Sequence, residues 1–167
     1  MSAIDSLFPD TYGAVFSPCR KYRYALWRVW NPEKPLCMFL MLNPSTADEF
    51  KNDPTVERCQ RRAIQMGYGG LHVGNIFAWR STDPDALYSL DDPIGPENDQ
   101  AIVEAASKAG IVICGWGKHG NLNNRGLAIL DLLRHHQITP HALTLNGDGT
   151  PGHPLYIGYE IQPAPMI

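Results

Sequence analysis

Charged residues are scarce in this sequence, and basic residues are not in excess. Charged side chains make up 19% of the 167 residues, and 14 Lys and Arg stand against 17 Asp and Glu, a formal net charge of −3. A protein that grips long duplex DNA needs a strongly basic surface, which replaces the counterions around the phosphates. The charge balance argues against that class of protein, although it is compatible with a local basic patch.

Cysteine pairs and long apolar runs are absent from the sequence. The four cysteines include no C-x-x-C pair, so the spacing typical of a zinc ribbon or a local disulfide framework is missing. We expect buried free thiols, because free cysteine packs as a small hydrophobic residue. No apolar run reaches the roughly 18 residues of a membrane span, and the start MSAIDSLFPDTYG lacks the pattern of a secretory signal. We therefore predict a cytoplasmic protein without a membrane partner, a bound metal or another cofactor.

Hydrophobic residues are abundant enough to build a core. They account for 44% of the chain, which places it among ordinary globular proteins. The length fits one domain, since domains run to roughly 100 to 200 residues, and no repeat or flexible linker divides the sequence. We predict a single domain over residues 1–167, with residues 1–11 and 160–167 as loose ends.

The apolar pattern predicts a hairpin followed by a buried strand. Residues 12–16 (YGAVF) and 22–30 (YRYALWRVW) surround a break that contains Ser-Pro, as expected of two short antiparallel strands. Residues 36–42 (LCMFLML) are continuously apolar, which is typical of a strand covered on both faces in a parallel sheet. This strand ends abruptly at Asn43 and Pro44.

Helix and strand patterns then alternate along the chain. The first helix is predicted after an N-cap at Asp53, with Pro54 in its first turn and Gly67 at its end. Its predicted core positions are Val56, Cys59, Ala63 and Ile64. The later elements are a strand at 71–79, a helix at 95–108, a strand at 111–116, a helix at 123–136 and a strand at 141–145. The predicted core positions of the last helix are Leu127, Leu130 and Leu132 or Leu133. This alternation predicts an α/β protein whose mostly parallel sheet carries helices on both faces.

Polar, turn-forming segments follow each predicted parallel strand. They are LNPSTADEF (42–50), NIFAWRSTDPD (75–85), GWGKHGN (115–121) and LNGDGTPGHPLY (145–156). In such sheets, ligands bind in the crevice at the carboxyl ends of the strands. These segments therefore predict a site at that edge, although ordinary turns use the same residue types.

The same segments resemble the motifs of two families. NPSTAD, NIFAWRSTDPDAL, GPEND and DGTPGHPLY are similar to an uncharacterised bacterial and phage family, a domain of unknown function, over most of the chain. LNPS after the first buried strand, Asn75 at the end of the second and a late His-Pro-Leu resemble the uracil-DNA glycosylase superfamily. The second resemblance implies a three-layer α/β/α sandwich with a central four-stranded, mostly parallel sheet, here joined by the N-terminal β-hairpin.

The glycosylase resemblance implies an enzyme that recognises a nucleobase or nucleotide and cleaves an N-glycosidic or related nucleotide bond. Asn43 stands where the superfamily positions the attacking water, Asn75 where it reads the base, and His153 where it stabilises charge on the departing base. An amide does not accept a proton near neutral pH, so Asn43 would orient water rather than deprotonate it. Each of the three residues also has a structural interpretation as an ordinary turn or loop residue.

A carboxylate in the first loop could act as the general base. Asp48 and Asp53 are the candidates, and either would need burial or a partner that shifts its pKa. Helix capping is the better explanation for Asp53. Asp48 is therefore our predicted third catalytic residue, beside Asn43 and His153.

Further side chains in these loops could bind a base and its phosphates. Because aromatic faces stack on bases, the predicted ligand contacts are Pro44, Ser45, Phe50, Asn75, Trp79 and Trp116. Arginines and hydroxyls suit phosphate oxygens, so the predicted phosphate contacts are Arg80, Ser81, Lys118, Arg58 and Arg62. The alternatives are that the aromatic residues belong to the core and that the helix arginines form a solvated face.

Three functions remain open at this point. The first is the nucleobase- or nucleotide-recognising enzyme, for which the net charge favours a nucleotide or a single-stranded or distorted nucleic acid over long duplex DNA. The second is a non-catalytic module that binds a nucleotide, a nucleic acid or a protein on the same fold. The third is a hydrolase of a small metabolite that shares only the sheet, since a fold does not determine a function. The cysteine spacing does not match an iron–sulfur site, so no cluster is predicted.

Overall fold

The computed structural model of the protein describes residues 12–167, and the predicted loose end at 1–11 lies outside this range. Within this range, one sheet contains seven strands, β1 (Tyr12–Phe16), β2 (Arg23–Val29), β3 (Leu36–Met41), β4 (Gly70–Asn75), β5 (Ile111–Gly115), β6 (Pro140–Ala142) and β7 (Ala164–Pro165). The same range contains three α-helices, α1 (Pro54–Gln65), α2 (Asn98–Lys108) and α3 (Arg125–His135). The strands lie in the order β1-β2-β4-β3-β5-β6-β7. The predicted α/β class is confirmed.

Parallel and antiparallel pairings are equally frequent in this sheet. The strands β4, β3, β5 and β6 pair in parallel, whereas β1 with β2, β2 with β4, and β6 with β7 pair antiparallel. The prediction of a four-stranded, mostly parallel sheet is therefore not confirmed. The predicted hairpin does form, but β2 also pairs with the edge of β4, because an open edge would leave backbone groups unpaired. At the other side β7 covers β6, so part of the segment 160–167 is a paired strand rather than a loose end.

Two hydrophobic clusters fill the space between the sheet and the helices. Cys37, Phe39 and Met41 of β3 join the cluster beneath α1, and Met38 and Leu40 join the cluster beneath α2 and α3. Successive strand residues point to opposite faces, so a strand covered on both sides must be apolar throughout. The continuous apolar run therefore predicted the environment of β3 correctly, with helices on both faces of the sheet.

The helix α1 begins where the sequence predicts. The Asp53 carboxylate accepts a hydrogen bond from the backbone N–H of Val56 at 2.9 Å, and Pro54 occupies the first turn. Gly67, with φ of +86°, follows the helix in the left-handed conformation that glycine adopts without strain. Both capping predictions are confirmed.

Two predicted core positions on the helices are wrong. Ile64 is 51% exposed and Leu127 is 63% exposed, whereas Arg62 is 1% exposed. An α-helix has 3.6 residues per turn, so position 62, three residues after the buried Cys59, lies on the same side of the helix as Cys59. Position 64 is turned away from that side. A charged residue therefore takes a place on the buried side of α1.

The helices α2 and α3 begin later than predicted. Gly95 has φ of +93°, and Asn123 and Asn124 have φ of +54° and +55°. Residues in the left-handed region cannot continue an α-helix, so α3 begins at Arg125. The α2 helix begins at Asn98, because Glu97 also has non-helical angles, φ −108° and ψ 6°. The strands β4 and β6 are also shorter than predicted, because the chain turns early into the loops at the sheet edge.

Three of the four cysteines are buried free thiols, as expected, and Cys19 is exposed. Among residues 12–167, no group of three His, Cys, Asp or Glu side chains is arranged to bind a metal ion. None of the helices in the same range has the length and apolar composition required to cross a lipid bilayer.

Candidate functional site

A small polar cavity lies at the carboxyl ends of the parallel strands. The connection from β3 passes through α1 on one face of the sheet, whereas those from the neighbouring strands β4 and β5 pass through α2 and α3 on the other. Such a divergence opens a crevice at the strand ends. The cavity there has a volume of about 40 Å³. Its lining residues are Arg23, Met41, Asn43, Pro44, Ser45, Asp53, Thr55, Val56, Asn75 and His153.

Asn43, Asn75 and His153 meet in this cavity from three distant parts of the chain. Asn43 follows β3, Asn75 ends β4, and His153 precedes a short 3-10 turn after β6. Pro44 and Ser45 line the cavity as well. Five of the residues predicted for catalysis or ligand binding are thus brought together at the predicted edge of the sheet.

The amide nitrogen of Asn43 is occupied by the neighbouring loop. Its Nδ2 donates hydrogen bonds to the carbonyl oxygens of Ser81 (2.9 Å) and Pro44 (3.2 Å). The Oδ1 atom accepts no hydrogen bond from residues 12–167 and remains available to a ligand or a water molecule. Asn43 therefore fits both interpretations. Its Nδ2 atom holds the neighbouring loop, and its Oδ1 atom can bind a ligand or a water molecule.

Asn75 is 2% exposed and has a defined orientation. Its Oδ1 accepts a hydrogen bond from Nη2 of Arg23 at 3.1 Å, and its backbone carbonyl accepts one from Nδ2 of Asn98 at 2.8 Å. Because the side-chain oxygen is engaged, the amide offers its Nδ2 donor to the cavity. Asn75 can therefore donate a hydrogen bond to an oxygen of a ligand. It does not pair with a donor and an acceptor on the edge of a base at the same time.

Arg23 is a cavity residue that the sequence analysis did not identify. It is 3% exposed, and its Nη1 donates to the carbonyl oxygen of Ala47 at 3.0 Å. Burial lowers the pKa of Arg23 to about 10, and the Asp53 carboxylate partly opposes this shift, so the guanidinium stays protonated at neutral pH. The available signal was that two arginines, Arg23 and Arg28, interrupt the apolar strand pattern YRYALWRVW, because a buried charge needs polar partners.

Asp53, rather than Asp48, supplies the carboxylate of the cavity. Asp53 is 8% exposed, and its Oδ1 and Oδ2 accept hydrogen bonds from the backbone N–H groups of Val56 (2.9 Å) and Ala47 (3.3 Å). Each carboxylate oxygen keeps a second lone pair for a ligand. Asp48 lies outside the lining, and hydrogen bonds from the Phe50 and Lys51 backbone lower its pKa, which makes it a weak base. The structure therefore does not bring Asp48 to the predicted catalytic position.

His153 presents a hydrogen-bond donor to the cavity. Its Nδ1 accepts a hydrogen bond from the backbone N–H of Leu155 at 3.2 Å, so the neutral imidazole carries its proton on Nε2. Burial lowers the pKa of His153, although the Asp53 carboxylate partly opposes this effect. The ring is therefore neutral at pH 7, with an Nε2–H group that can donate to a ligand oxygen.

The three predicted aromatic contacts lie outside the cavity lining. Trp116 is 3% exposed and belongs to the core beneath α2 and α3. Trp79 packs against Tyr22 with ring centroids 5.5 Å apart, and Phe50 packs edge-on against Tyr12 at 5.7 Å. The core interpretation therefore holds for Trp116, while Phe50, at 75% exposed, lies on the surface.

The predicted phosphate contacts do not form a single patch. Arg58 and Arg62 donate to backbone carbonyls of residues 154–161. Arg80 donates to the carbonyl of Arg20 at 3.1 Å, the Ser81 hydroxyl donates within its own loop, and Lys118 is exposed on a different loop. The two helix arginines thus have structural partners, contrary to both the phosphate and the solvated-face interpretations.

The fold and the site together define a mixed α/β protein with a polar cavity at the carboxyl ends of its parallel strands. Residues 23–155 match a family described as protein of unknown function (DUF1643), and because this match covers most of the chain, the protein belongs to that family. The cavity residues from Arg23 to His153 all lie in the matched range. No curated protein matches the chain. No solved structure matches it either.

Proposed function

We propose that this protein is a nucleobase- or nucleotide-recognising hydrolase that cleaves an N-glycosidic or related nucleotide bond in the cavity described above. The observation that carries the proposal is the convergence of Asn43, Asn75 and His153 with the carboxylate of Asp53 around one cavity. The run of four mutually parallel strands with helices on both faces supports a uracil-DNA-glycosylase-like core within the larger sheet.

The cavity has the size and chemistry to hold the attacking water. A cavity needs roughly 10 to 15 Å³ of accessible space to hold one water molecule, and this one has about 40 Å³. The free Oδ1 of Asn43 and the remaining lone pairs of Asp53 are acceptors that would orient this water. Asp53 takes the role of general base, which an amide cannot fill. The nucleoside would lie across the mouth of the cavity.

The remaining polar groups suit the departing base. In the proposed reaction, the water oxygen bonds to C1′ while the bond from C1′ to the base nitrogen breaks, and the electron pair leaves with the base. The proton of the water passes to Asp53. Negative charge that develops on a base carbonyl oxygen would be stabilised by the Nε2–H group of His153 or by Nδ2 of Asn75, as in an oxyanion hole. The base finally takes up a proton.

The distribution of positive charge supports a small or single-stranded substrate. The net charge is −3, and the guanidinium groups of Arg58 and Arg62 are engaged with backbone carbonyls. Affinity for long duplex DNA depends on many cationic contacts with phosphates. A nucleotide or a single-stranded or distorted nucleic acid fits this surface better.

A non-catalytic binding module on the same fold is the second candidate. The small cavity, about 40 Å³, favours it, because sites that enclose a small molecule usually measure roughly 300 to 1,000 Å³. In this case the polar rim would hold a nucleotide, a nucleic acid or a protein segment without breaking a bond. The two candidates make different predictions for Asp53, since binding alone needs no general base.

A binding screen tests recognition first. The protein would be heated with free bases, nucleosides, nucleotides and short single-stranded oligonucleotides, since a ligand of the native state raises the melting temperature. We expect a shift with one base series and its loss in Asn75→Asp. This isosteric change keeps the oxygen that accepts from Arg23 and removes the donor that faces the cavity. No shift with any series would contradict base recognition.

A cleavage assay on the ligand found in that screen tests catalysis. We expect Asp53→Asn to lower turnover by roughly 100-fold or more, the usual contribution of a general base, with α1 intact because asparagine is also a good N-cap. Asp48→Asn is the matched control, an acid of the same loop outside the cavity, and should keep nearly full activity. Wild-type binding without any cleavage would leave the binding module as the function, and full activity in Asp53→Asn would refute the assigned base.

A further inference from the structure

The segment that follows His153 is fastened to α1 by two arginines. We call residues 154–161 the C-terminal strap. Arg58 donates from Nε to the carbonyl oxygen of Pro154 (3.2 Å) and from Nη2 to that of Ile157 (2.5 Å). Arg62 donates to three carbonyl oxygens of the strap, those of Ile157, Gly158 and Ile161, at 2.8 to 2.9 Å. The Tyr159 ring stacks on both guanidinium groups, 4.2 Å from Arg58 and 5.4 Å from Arg62.

These contacts supply hydrogen-bond donors to the backbone carbonyls of the strap. Apart from the short turn Pro154–Tyr156, the strap has no regular secondary structure. Backbone N–H groups of Ile157 and Ile161 reach the carbonyls of Pro154 (3.3 Å) and Gly158 (3.2 Å), whereas the carbonyls of Ile157 and Ile161 accept from the arginines. Buried carbonyls need donors, and a guanidinium offers five N–H groups in a rigid fork. Neither Arg58 nor Arg62 forms an ion pair within residues 12–167. Their positive charge is directed at backbone oxygens.

Hydrogen bonds hold the chain on both sides of His153. On the upstream side the loops after β5 and β6 hold the chain, because Gly117 donates to the carbonyl of Pro151 (2.9 Å) and Gly152 donates to that of Thr144 (2.9 Å). On the downstream side, Nδ1 of His153 accepts from the N–H group of Leu155. Leu155 lies between the two carbonyls, 154 and 157, that Arg58 holds.

We propose that Arg58 is a positioning residue for the site, which fixes the peptide that donates to Nδ1 of His153 and so directs the Nε2–H group into the cavity. Arg58 does not line the cavity, so it acts through His153. Its effect on ligand binding rests on the proposed function. Its effect on the tautomer of His153 does not.

Nitrogen NMR of the ¹⁵N-labelled imidazole measures the tautomer directly. We expect the wild-type protein at neutral pH to hold His153 with its proton on Nε2. Arg58→Met, which keeps an apolar stem over Tyr159 but has no donor, should give a mixture of the two tautomers. Arg58→Lys, which keeps the charge and one donor, should retain more of the Nε2–H form than Arg58→Met.

Arg61→Met is the matched control. Arg61 lies on the same helix, is exposed and pairs with Glu57 at 3.1 Å, so the variant removes an arginine from α1 without touching the strap. We expect its His153 tautomer to equal that of the wild type. A wild-type tautomer in Arg58→Met, equal mixtures in Arg58→Met and Arg58→Lys, or the same mixture in Arg61→Met would each overturn the proposal.

Ligand affinity separates this proposal from the proposed function. If a base series binds the wild type, Arg58→Met should weaken that binding by roughly tenfold, the effect of losing one good hydrogen bond, and Arg61→Met should not. An unchanged affinity in Arg58→Met would refute the link to the site. If no series binds the wild type, the proposed function fails, whereas the tautomer measurement still decides whether Arg58 positions the ring.

Discussion

At the scale of single residues, Gly115 lets the chain around His153 approach the sheet. A Cβ atom at this position would lie 2.8 Å from Cδ of Pro154 and 3.1 Å from the carbonyl oxygen of Gly152. Real Cβ atoms do not come so close to rigid groups, because overlap in a packed interior forces its neighbours to shift. Because Gly115 has no side chain, Gly152 and Pro154, which flank His153, can pack directly against the end of β5.

Gly115→Ala should consequently destabilise the protein and displace His153. We expect the free energy of unfolding to fall by about 1 to 3 kcal/mol, the usual effect of overpacking, as measured by urea denaturation. Gly147→Ala is the control, since a Cβ there would meet no atom within 4 Å, and its stability should stay close to that of the wild type. Equal stability in the two variants would show that the contact with Pro154 is not restrictive.

At the scale of elements, α1 combines three tasks that involve different residues. Val56, Cys59 and Ala63 pack into the core on one face of the sheet. The start of the helix carries Asp53, which both caps it and lines the cavity. The arginines in its middle hold the C-terminal strap. The position of the site therefore depends on α1 being formed and correctly docked.

The cap of α1 can be tested separately from the charge of the cavity. Asp53→Ala removes the acceptor for the Val56 N–H group and should lower the free energy of unfolding by about 1 kcal/mol. Asp53→Asn keeps an acceptor for the Val56 N–H group but loses the one for the Ala47 N–H group at 3.3 Å, so it should be destabilised less than Asp53→Ala. Urea denaturation of both variants measures the difference. A loss of stability as large in Asp53→Asn would show that the hydrogen bond from Val56 to the cap does not stabilise the helix.

At the scale of the whole molecule, folding shields one ring nitrogen of a histidine in the sheet from solvent. His72 lies on β4, and its Nε2 is shielded from solvent without a hydrogen-bond partner in residues 12–167. Burial, and secondarily the charge of Arg23, lowers the pKa of His72 to about 4. The folded protein thus excludes a proton that the unfolded chain binds with an ordinary histidine pKa of about 6.5.

Stability should therefore fall as the pH is lowered from about 6.5 to about 4. In this window the unfolded state binds more protons than the native state, and linkage then favours unfolding by roughly 3 kcal/mol at most. Above about pH 6.5 the histidine is neutral in both states, so this loss of stability is absent. His72→Gln should flatten this part of the profile in urea denaturation at a series of pH values. The remaining slope comes from His153, whose pKa burial also lowers, and near pH 4 from four carboxyl groups whose pKa values hydrogen bonds lower, those of Asp48, Glu49, Glu57 and Asp148. An unchanged profile in His72→Gln would contradict the assignment.

The fold was more predictable than the site, and particular residues show why. The buried strand β3 and the cap at Asp53 depend on local patterns, an apolar run and a polar residue before proline, which act over a few neighbours. The exposure of Ile64 and Leu127 depends on how each helix is rotated against the sheet. The choice between Asp48 and Asp53 depends on the path of one loop, which directs the first carboxylate to its own backbone and the second to the cavity.

The sequence by itself determined the α/β class, the N-terminal hairpin, the starting point of α1 and the edge of the sheet at which Asn43, Asn75 and His153 meet. These features follow from hydrophobic periodicity, from helix capping and from the alternation of strands and helices along the chain. Only the tertiary structure decided that β2 and β7 extend the sheet, that Arg23 orients Asn75, and that Arg58 and Arg62 hold the strap. Those outcomes rest on contacts between distant segments, where a buried polar group takes whichever partner the packing brings within hydrogen-bond distance.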